Sequence, residues 1–162
     1  MDIQTVTIDY HDARHAHALI QLLDSYARDP MGGAHALDDD VKMKLVPALA
    51  RRTDAFGVLA FDGDTPVGLA NCFEGFSTFA CKPLANIHDF VVMPDYRGRQ
   101  IGVRMLEHIE RIAAERGYCK LTLEVLQNNH AAQRLYLKFG FAAYQLSDDA
   151  GTAQFWQKYL AD

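Results

Sequence analysis

The chain has 162 residues, 49% of them hydrophobic and 23% charged, with a formal net charge of −5; this describes one globular domain with room for a sizeable core rather than a disordered chain. The acidic balance argues against nucleic acid as a general partner. No apolar run reaches the length of a membrane span, and the N-terminal MDIQTVTIDYHD lacks the basic-then-apolar order of a leader peptide.

In chain order, residues 3–9 (IQTVTID) alternate apolar and polar and predict a first strand. Asp12 can cap a helix running to about Ala27, with Ala16, Leu19, Ile20 and Leu23 at helical spacing, before Asp29-Pro30-Met31-Gly32-Gly33 breaks it. A second helix is expected from Asp38, with Asp39 and Asp40 at its positive end and Pro47 kinking or splitting it. The runs 57–61 and 67–76 then form a hairpin around the turn chemistry of residues 62–66. Three cysteines follow, Cys72, Cys81 and Cys119, neither an even framework nor a Cys-x-x-Cys pair, so a reducing, cytoplasmic location is expected. Residues 87–93 read as a strand ended by Pro94. Residues 102–116 form an amphipathic helix with Met105, Leu106, Ile109, Ile112 and Ala113 on one face and Gly117 at its stop. A strand at 121–125, a short helix marked by Ala132, Leu135, Tyr136 and Phe139 and closed by Gly140, and a final pair of strands (from Phe141, and 154–160) around Asp148–Gly151 complete the reading. The expectation is an α/β fold: a single domain over residues 1–162, with a mixed central sheet flanked by helices.

The most informative stretch is VVMPDYRGRQIG, residues 91–102. A strand ends, a loop with glycines and arginines follows, and a helix begins. A helix N-terminus offers unpaired N–H groups and partial positive charge to a phosphate; Gly98 and Gly102 let the backbone approach, and Arg97 and Arg99 add charge. The same loop also reads as an ordinary strand–helix connection with two solvated arginines. It matches neither the nucleoside-triphosphate nor the dinucleotide glycine pattern.

These residues resemble the GCN5-related N-acetyltransferases, in which Arg/Gln-x-x-Gly-x-Gly/Ala at such a junction holds the pyrophosphate of coenzyme A. Arg97 takes the first position and Gly102 the last, while Gln100 replaces the middle glycine. If that position needs φ > 0, the replacement costs on the order of 1 kcal/mol. Downstream, Asn129-x-x-Ala132-x-x-Leu135-Tyr136-x-x-Phe139-Gly140-Phe141 is similar to the family's second signature. The resemblance implies an acetyl-CoA-dependent N-acetyltransferase. Coenzyme contacts would come from the backbone of Phe90 and Val92, from Arg97, Gly98, Arg99, Gln100, Gly102 and Val103 in the loop and helix start, and from Asn129 and Tyr136.

Acyl transfer to an amine needs a neutral nucleophile, a stabilised oxyanion and a protonated leaving thiolate. Tyr136 stands where the family's general acid stands; by helical spacing alone it is a core residue. His88 aligns with a carboxylate credited with amine deprotonation in the diamine acetyltransferase branch, whose strand residues 87–98 resemble. An imidazole can accept a proton at neutral pH, and an ordinary strand histidine is the other reading. Glu124 is a reserve base. Alternation places His88 and Asp89 on opposite faces of the strand, with Asp89 structural. His15 and His17 do not share a helix face, and no metal is expected. The acidic run Asp38-Asp39-Asp40 reads either as an amine attractor or as a plain helix start. The acceptor is expected to be a small amine, a diamine, polyamine or similar, attacking directly in a ternary complex without a covalent enzyme intermediate. The family's habit allows a homodimer. A non-catalytic acyl-CoA sensor, a nucleotide-binding module, and an enzyme acting on a protein or peptide amine are the alternatives.

Overall fold

The computed structural model describes residues 2–160, and among these the backbone divides into two compact units, one ending at Leu123 and the other beginning at Glu124. The first contains β1 (Ile3–Thr7), α1 (Ala13–Arg28), α2 (Asp39–Ala50), β2 (Ala55–Asp62), β3 (Thr65–Ser77), β4 (Lys82–Val92), α3 (Ile101–Glu115) and β5 (Leu121–Leu123); the second contains α4 (His130–Phe139). The strands form one sheet in chain order, antiparallel from β1 to β4 and parallel between β4 and β5. This is the α/β class with a mixed central sheet that the sequence implied.

Local chemistry explains most boundaries. The Asp12 carboxylate accepts the His15 N–H at 2.9 Å and starts α1. Gly63, at φ 59°, makes the two-residue turn between β2 and β3. The acidic start of α2 is used locally: Asp39 and Asp40 pair with Lys42 and Lys44. The split that Pro47 could have caused does not occur, and α2 runs from Asp39 to Ala50 with the proline inside it. Val46 and Leu49 on either side of it are buried in the core shared with α1. Two such side chains contribute about 1.5–3 kcal/mol each, enough to offset the roughly 3 kcal/mol an internal proline costs.

That core joins Leu19 and Leu22 of α1 and Val46 and Leu49 of α2 to Leu59, Phe61, Leu69 and Val91 on one face of the sheet. α3 covers the other face. Gly68 neighbours Leu69 and so faces away from α1, and a Cβ on it would lie 2.6 Å from Met105 Sδ of α3. The glycine sets how closely α3 approaches the sheet.

In the second unit, Asn129 Oδ1 accepts the Ala132 N–H at 3.2 Å and Gly140 closes α4 at φ 102°. The expected terminal strand pair is reduced to a single bridge, Gln145↔Thr152, around the turn at Asp148–Ala150. Residues 154–160 carry no strand, and Phe155, Trp156, Tyr159 and Leu160 are exposed. The turn forms where its residues predict it, but a two-stranded ribbon without a third strand is marginal and does not propagate.

α3 is stapled to β1. Arg104 donates to the Ile3 carbonyl at 3.1 Å, and the buried His108 lies between the Thr5 and Thr7 hydroxyls, 3.0 Å from each. Burial, reinforced by the charge of Arg111, lowers the His108 pKa, while Glu115 and the Thr5 contact oppose the shift. The folded chain therefore favours neutral imidazole, and the unfolded chain binds the proton more readily. The stabilisation is fully present above about pH 6.5, the ordinary histidine value, and is lost as pH falls below it toward the depressed folded value. Denaturant melts at pH 7.5 and 5.5 should show a loss on acidification that shrinks in His108→Gln; an unchanged loss would place the titration elsewhere.

Candidate active site

The site begins where the ladders on either side of β4 stop matching. With β3, Asn71 faces Asp89 and Cys72 faces Ile87, so His88 is an extra residue with no opposite number. With β5, the parallel ladder covers Ala85↔Leu121, Asn86↔Thr122 and Ile87↔Leu123 and ends there. A bulge bends its strand, and here it coincides with the point where β4 parts from β5. Beyond it, the Met93 N–H donates back across the sheet to the Val67 carbonyl at 2.9 Å. Alternation then turns Val91 the same way and directs the backbone groups of Phe90 and Val92 toward the opposite edge.

The bulge also overturns one expectation. His88 packs edge-on against the Phe73 ring, centroids 5.5 Å apart, and Asp89 accepts the Asn71 side-chain N–H at 2.9 Å. Asn71 and Phe73 are two residues apart on regular β3 and share a face, so His88 and Asp89 share it too. The extra residue cancels one step of alternation. This is the face that carries α1, and Tyr26 and Asp29 from the end of α1 join it. Burial raises the Tyr26 phenol pKa, with the charges of Asp89 and then Asp29 adding to it.

After β4 a 3-10 turn, Pro94–Tyr96, leads into Gly98 at φ 76° and Gln100 at φ 63°, ψ 10°. Gln100 therefore occupies the left-handed region in which the sequence anticipated a cost. The helical ladder of α3 starts with the Arg104 N–H on the Gln100 carbonyl. The N–H groups of Ile101, Gly102 and Val103 precede it, with no side-chain cap and no acidic residue in the first turn. These donors and the positive end of the helix dipole suit a pyrophosphate.

The two arginines part company. Arg99 lies over the Tyr96 ring, 5.3 Å from its centroid. Arg97 turns back, donating to the Val92 carbonyl and to Asp29 Oδ2, each at 3.1 Å. Asp29 Oδ1 also accepts the Met31 N–H; that bond first, and Arg97 second, hold its carboxyl below the usual range. The Arg97 side chain thus ties the break after α1 to the end of β4.

In the second unit, Tyr136 is buried on α4 with its ring edge-on to Phe141 at 5.7 Å, and Asn129 is the cap of the same helix. Glu124 is exposed and follows the end of β5, which is two residues shorter than expected. Sequence reasoning passed over Asn71, although a lone amide in the otherwise apolar, buried run 67–72 was a signal. Among the described residues, no three His, Cys, Asp or Glu side chains cluster as metal ligands, and no helix is long and apolar enough to cross a membrane.

A left-handed non-glycine residue costs about 1–2 kcal/mol, and glycine gives back about 0.4–1 kcal/mol of unfolded-chain entropy. Gln100→Gly should therefore raise Tm by about 1–3 °C, and Gln100→Val, β-branched in that region, should lower it. Thermal unfolding of the three proteins checks the order; Val at or above Gln would show that the loop relaxes.

The arrangement has counterparts in known proteins. The acetyltransferase (GNAT) family model matches residues 19–141. An uncharacterized N-acetyltransferase of Archaeoglobus fulgidus is 32% identical over 122 residues, 70% of this chain and 82% of that protein. A thialysine N-epsilon-acetyltransferase of Bos taurus is 29% identical over 119 residues, 64% of this chain and 68% of that protein. An aminoglycoside N-acetyltransferase solved with CoA superposes with a TM-score of 0.75 at 13% identity, over 97% of this chain and 95% of that one, a likeness of fold. On the match across residues 19–141 and the kinship with the archaeal protein, the chain belongs to the acetyltransferase (GNAT) family and is an acetyl-CoA-dependent N-acetyltransferase.

Proposed function

We propose that this enzyme acetylates the primary amine of a small substrate, a diamine or similar molecule, by direct attack in a ternary complex. The observation that carries the reading is the opening of β4 at His88, one strand length from an uncapped helix N-terminus that leaves a left-handed loop. The backbone N–H groups of Ile101, Gly102 and Val103 would hold the pyrophosphate, with Gly98, Arg99 and Gln100 shaping the approach. Phe90 and Val92 would present main-chain groups to the pantetheine amides, and Asn129 would contact the same arm.

His88, on the exposed side of the bulge, would take the proton from the incoming amine, directly or through water. Tyr136 would donate a proton to the departing thiolate, since a phenol can supply a thiolate whose conjugate acid has a pKa near 8.5. Burial, and after it the charge of Asp89, pushes the Cys72 thiol up to about 12. It is not a nucleophile at neutral pH, which favours direct attack by the amine. The three thiols are free, as suits a reducing cytoplasm.

Tyr136→Phe keeps the ring and removes the proton donor. Turnover should fall by about 10²- to 10⁴-fold, mainly in kcat, with the fold retained. Steady-state assays with thiol detection check this; near-full kcat where acyl transfer is rate-limiting would return Tyr136 to a packing role.

Gly102→Val places a branched side chain at the helix start, where backbone and phosphate would meet. It should raise the acetyl-CoA KM by about tenfold while leaving the amine KM near its original value. A folded variant with an unchanged acetyl-CoA KM would show that the pyrophosphate lies elsewhere.

A further inference from the structure

The break after α1 is wound around one residue. Asp29 caps the helix, its main-chain carbonyl accepts the Gly32 N–H at 2.8 Å and the Ala34 N–H at 3.2 Å, and its Oδ1 accepts the Met31 N–H at 2.9 Å. The loop then returns to α1 through the His35 N–H on the Ala27 carbonyl and the Leu37 N–H on Asp24. Gly32 is pressed onto the helix end so closely that a Cβ there would lie 1.9 Å from the Tyr26 carbonyl oxygen. Ala34 follows at φ 62°, a conformation that needs surrounding contacts to hold it. From beyond the end of β4, Arg97 supplies one such contact, donating to Asp29 Oδ2 and to the Val92 carbonyl, each at 3.1 Å.

Arg97 is flanked on two sides by groups assigned above to the coenzyme. Its side chain rests on the Val92 carbonyl, and its backbone runs directly into Gly98, Arg99 and Gln100. Its guanidinium points the other way, into the loop. We propose that Arg97 and Asp29 are positioning residues that pass coenzyme capture on to the α1–α2 loop: Arg97, steadied on both flanks by bound coenzyme, steadies residues 29–34 through Asp29. This rests on the coenzyme contacts proposed above. The pair is too exposed to matter much for overall stability, with side chains 53% and 23% accessible. Its use is geometric. A guanidinium holds its donors in a rigid fork, so one side chain fixes two acceptors at a set spacing. Three backbone N–H groups of the loop close on Asp29, and a shift of that residue therefore loosens all three together. The loop flanks Tyr26, whose phenol feels the charges of Asp89 and Asp29; it borders the face on which His88 stands. The amine would thus meet a settled wall once coenzyme is aboard, and by reciprocity an amine that settles the wall would tighten coenzyme binding.

The test is hydrogen exchange of the whole chain, read by mass spectrometry with and without CoA. In the parent protein CoA should slow exchange in peptides covering 98–106, where it is proposed to bind. It should also slow peptides covering 29–37 by about fivefold, the low end for coupled sites, as suits a surface ion pair. Asp29→Asn removes the charge with little change of shape, and Arg97→Gln removes the fork. In either variant residues 98–106 should keep most of their slowing by CoA, whereas residues 29–37 should exchange at the same rate with and without it. A pair that merely props up the loop would instead speed its exchange equally in both states. That equal rise, with the slowing by CoA retained, overturns the relay. So does a parent loop indifferent to CoA while residues 98–106 respond. A parent in which neither segment responds overturns the coenzyme reading together with the relay. Should one variant fail to fold, the other decides.

Discussion

Between Asn71↔Asp89 and Cys72↔Ile87 the antiparallel ladder must accommodate His88, for which β3 has no counterpart. A strand with one residue too many bends and turns its next side chains by one step of alternation. Both effects matter. The bend falls where β4 leaves β5, so the backbone of Phe90 and Val92 is directed to an edge beyond the end of the parallel ladder. The lost step brings His88 and Asp89 together on the α1 face, where α1 ends in Tyr26 and Asp29. One inserted residue thus supplies both a strand edge beyond the parallel ladder and a pair of titratable groups beside it.

The rigid parts around this opening are held by apolar burial and a few polar ties. Leu19, Leu22, Val46 and Leu49 press α1 and α2 onto Leu59, Leu69 and Val91, while Met105 of α3 fits over Gly68 from the other side. A helix that closely seated has a well-defined first turn, which the proposed capture of phosphate on its backbone N–H groups would require. The strained φ of Gln100 is sustained by the same framework.

Much of the fold could be read from the sequence, because the signals are local. Asp12 and Asn129 announce helix starts, Gly140 a helix end, and Asp62–Pro66 a hairpin, and each does so through chemistry within a few residues. The strand–loop–helix junction at residues 94–102 and the start and stop of α4 were legible for the same reason, and so was the cost at Gln100. What escaped was non-local. The bulge at His88 exists only relative to the register of β3, so no inspection of residues 87–93 reveals it, and the alternation rule placed His88 and Asp89 on opposite faces. The tie from Arg97 to Asp29 was out of sight because the two residues lie far apart in the chain. Pro47 appeared as a break because its neighbours' burial against α1 is a tertiary fact. The closing strands were expected from apolar content that an isolated ribbon cannot use.

The engagement of Arg97 with Asp29 and the Val92 carbonyl has a further consequence, for the ionic character of coenzyme capture. A site that neutralises phosphate with mobile arginines and lysines competes with dissolved ions for those cations. Here one of the loop's two guanidiniums is already committed to a carboxylate inside the protein. The donors left at the start of α3 are peptide dipoles, which carry no counterion atmosphere to be displaced. With the pyrophosphate held there as proposed, its recognition would depend on the fixed direction of N–H groups more than on net charge. Such a site would suit a chain whose overall charge is −5, drawing an anion to a negatively charged molecule by local geometry.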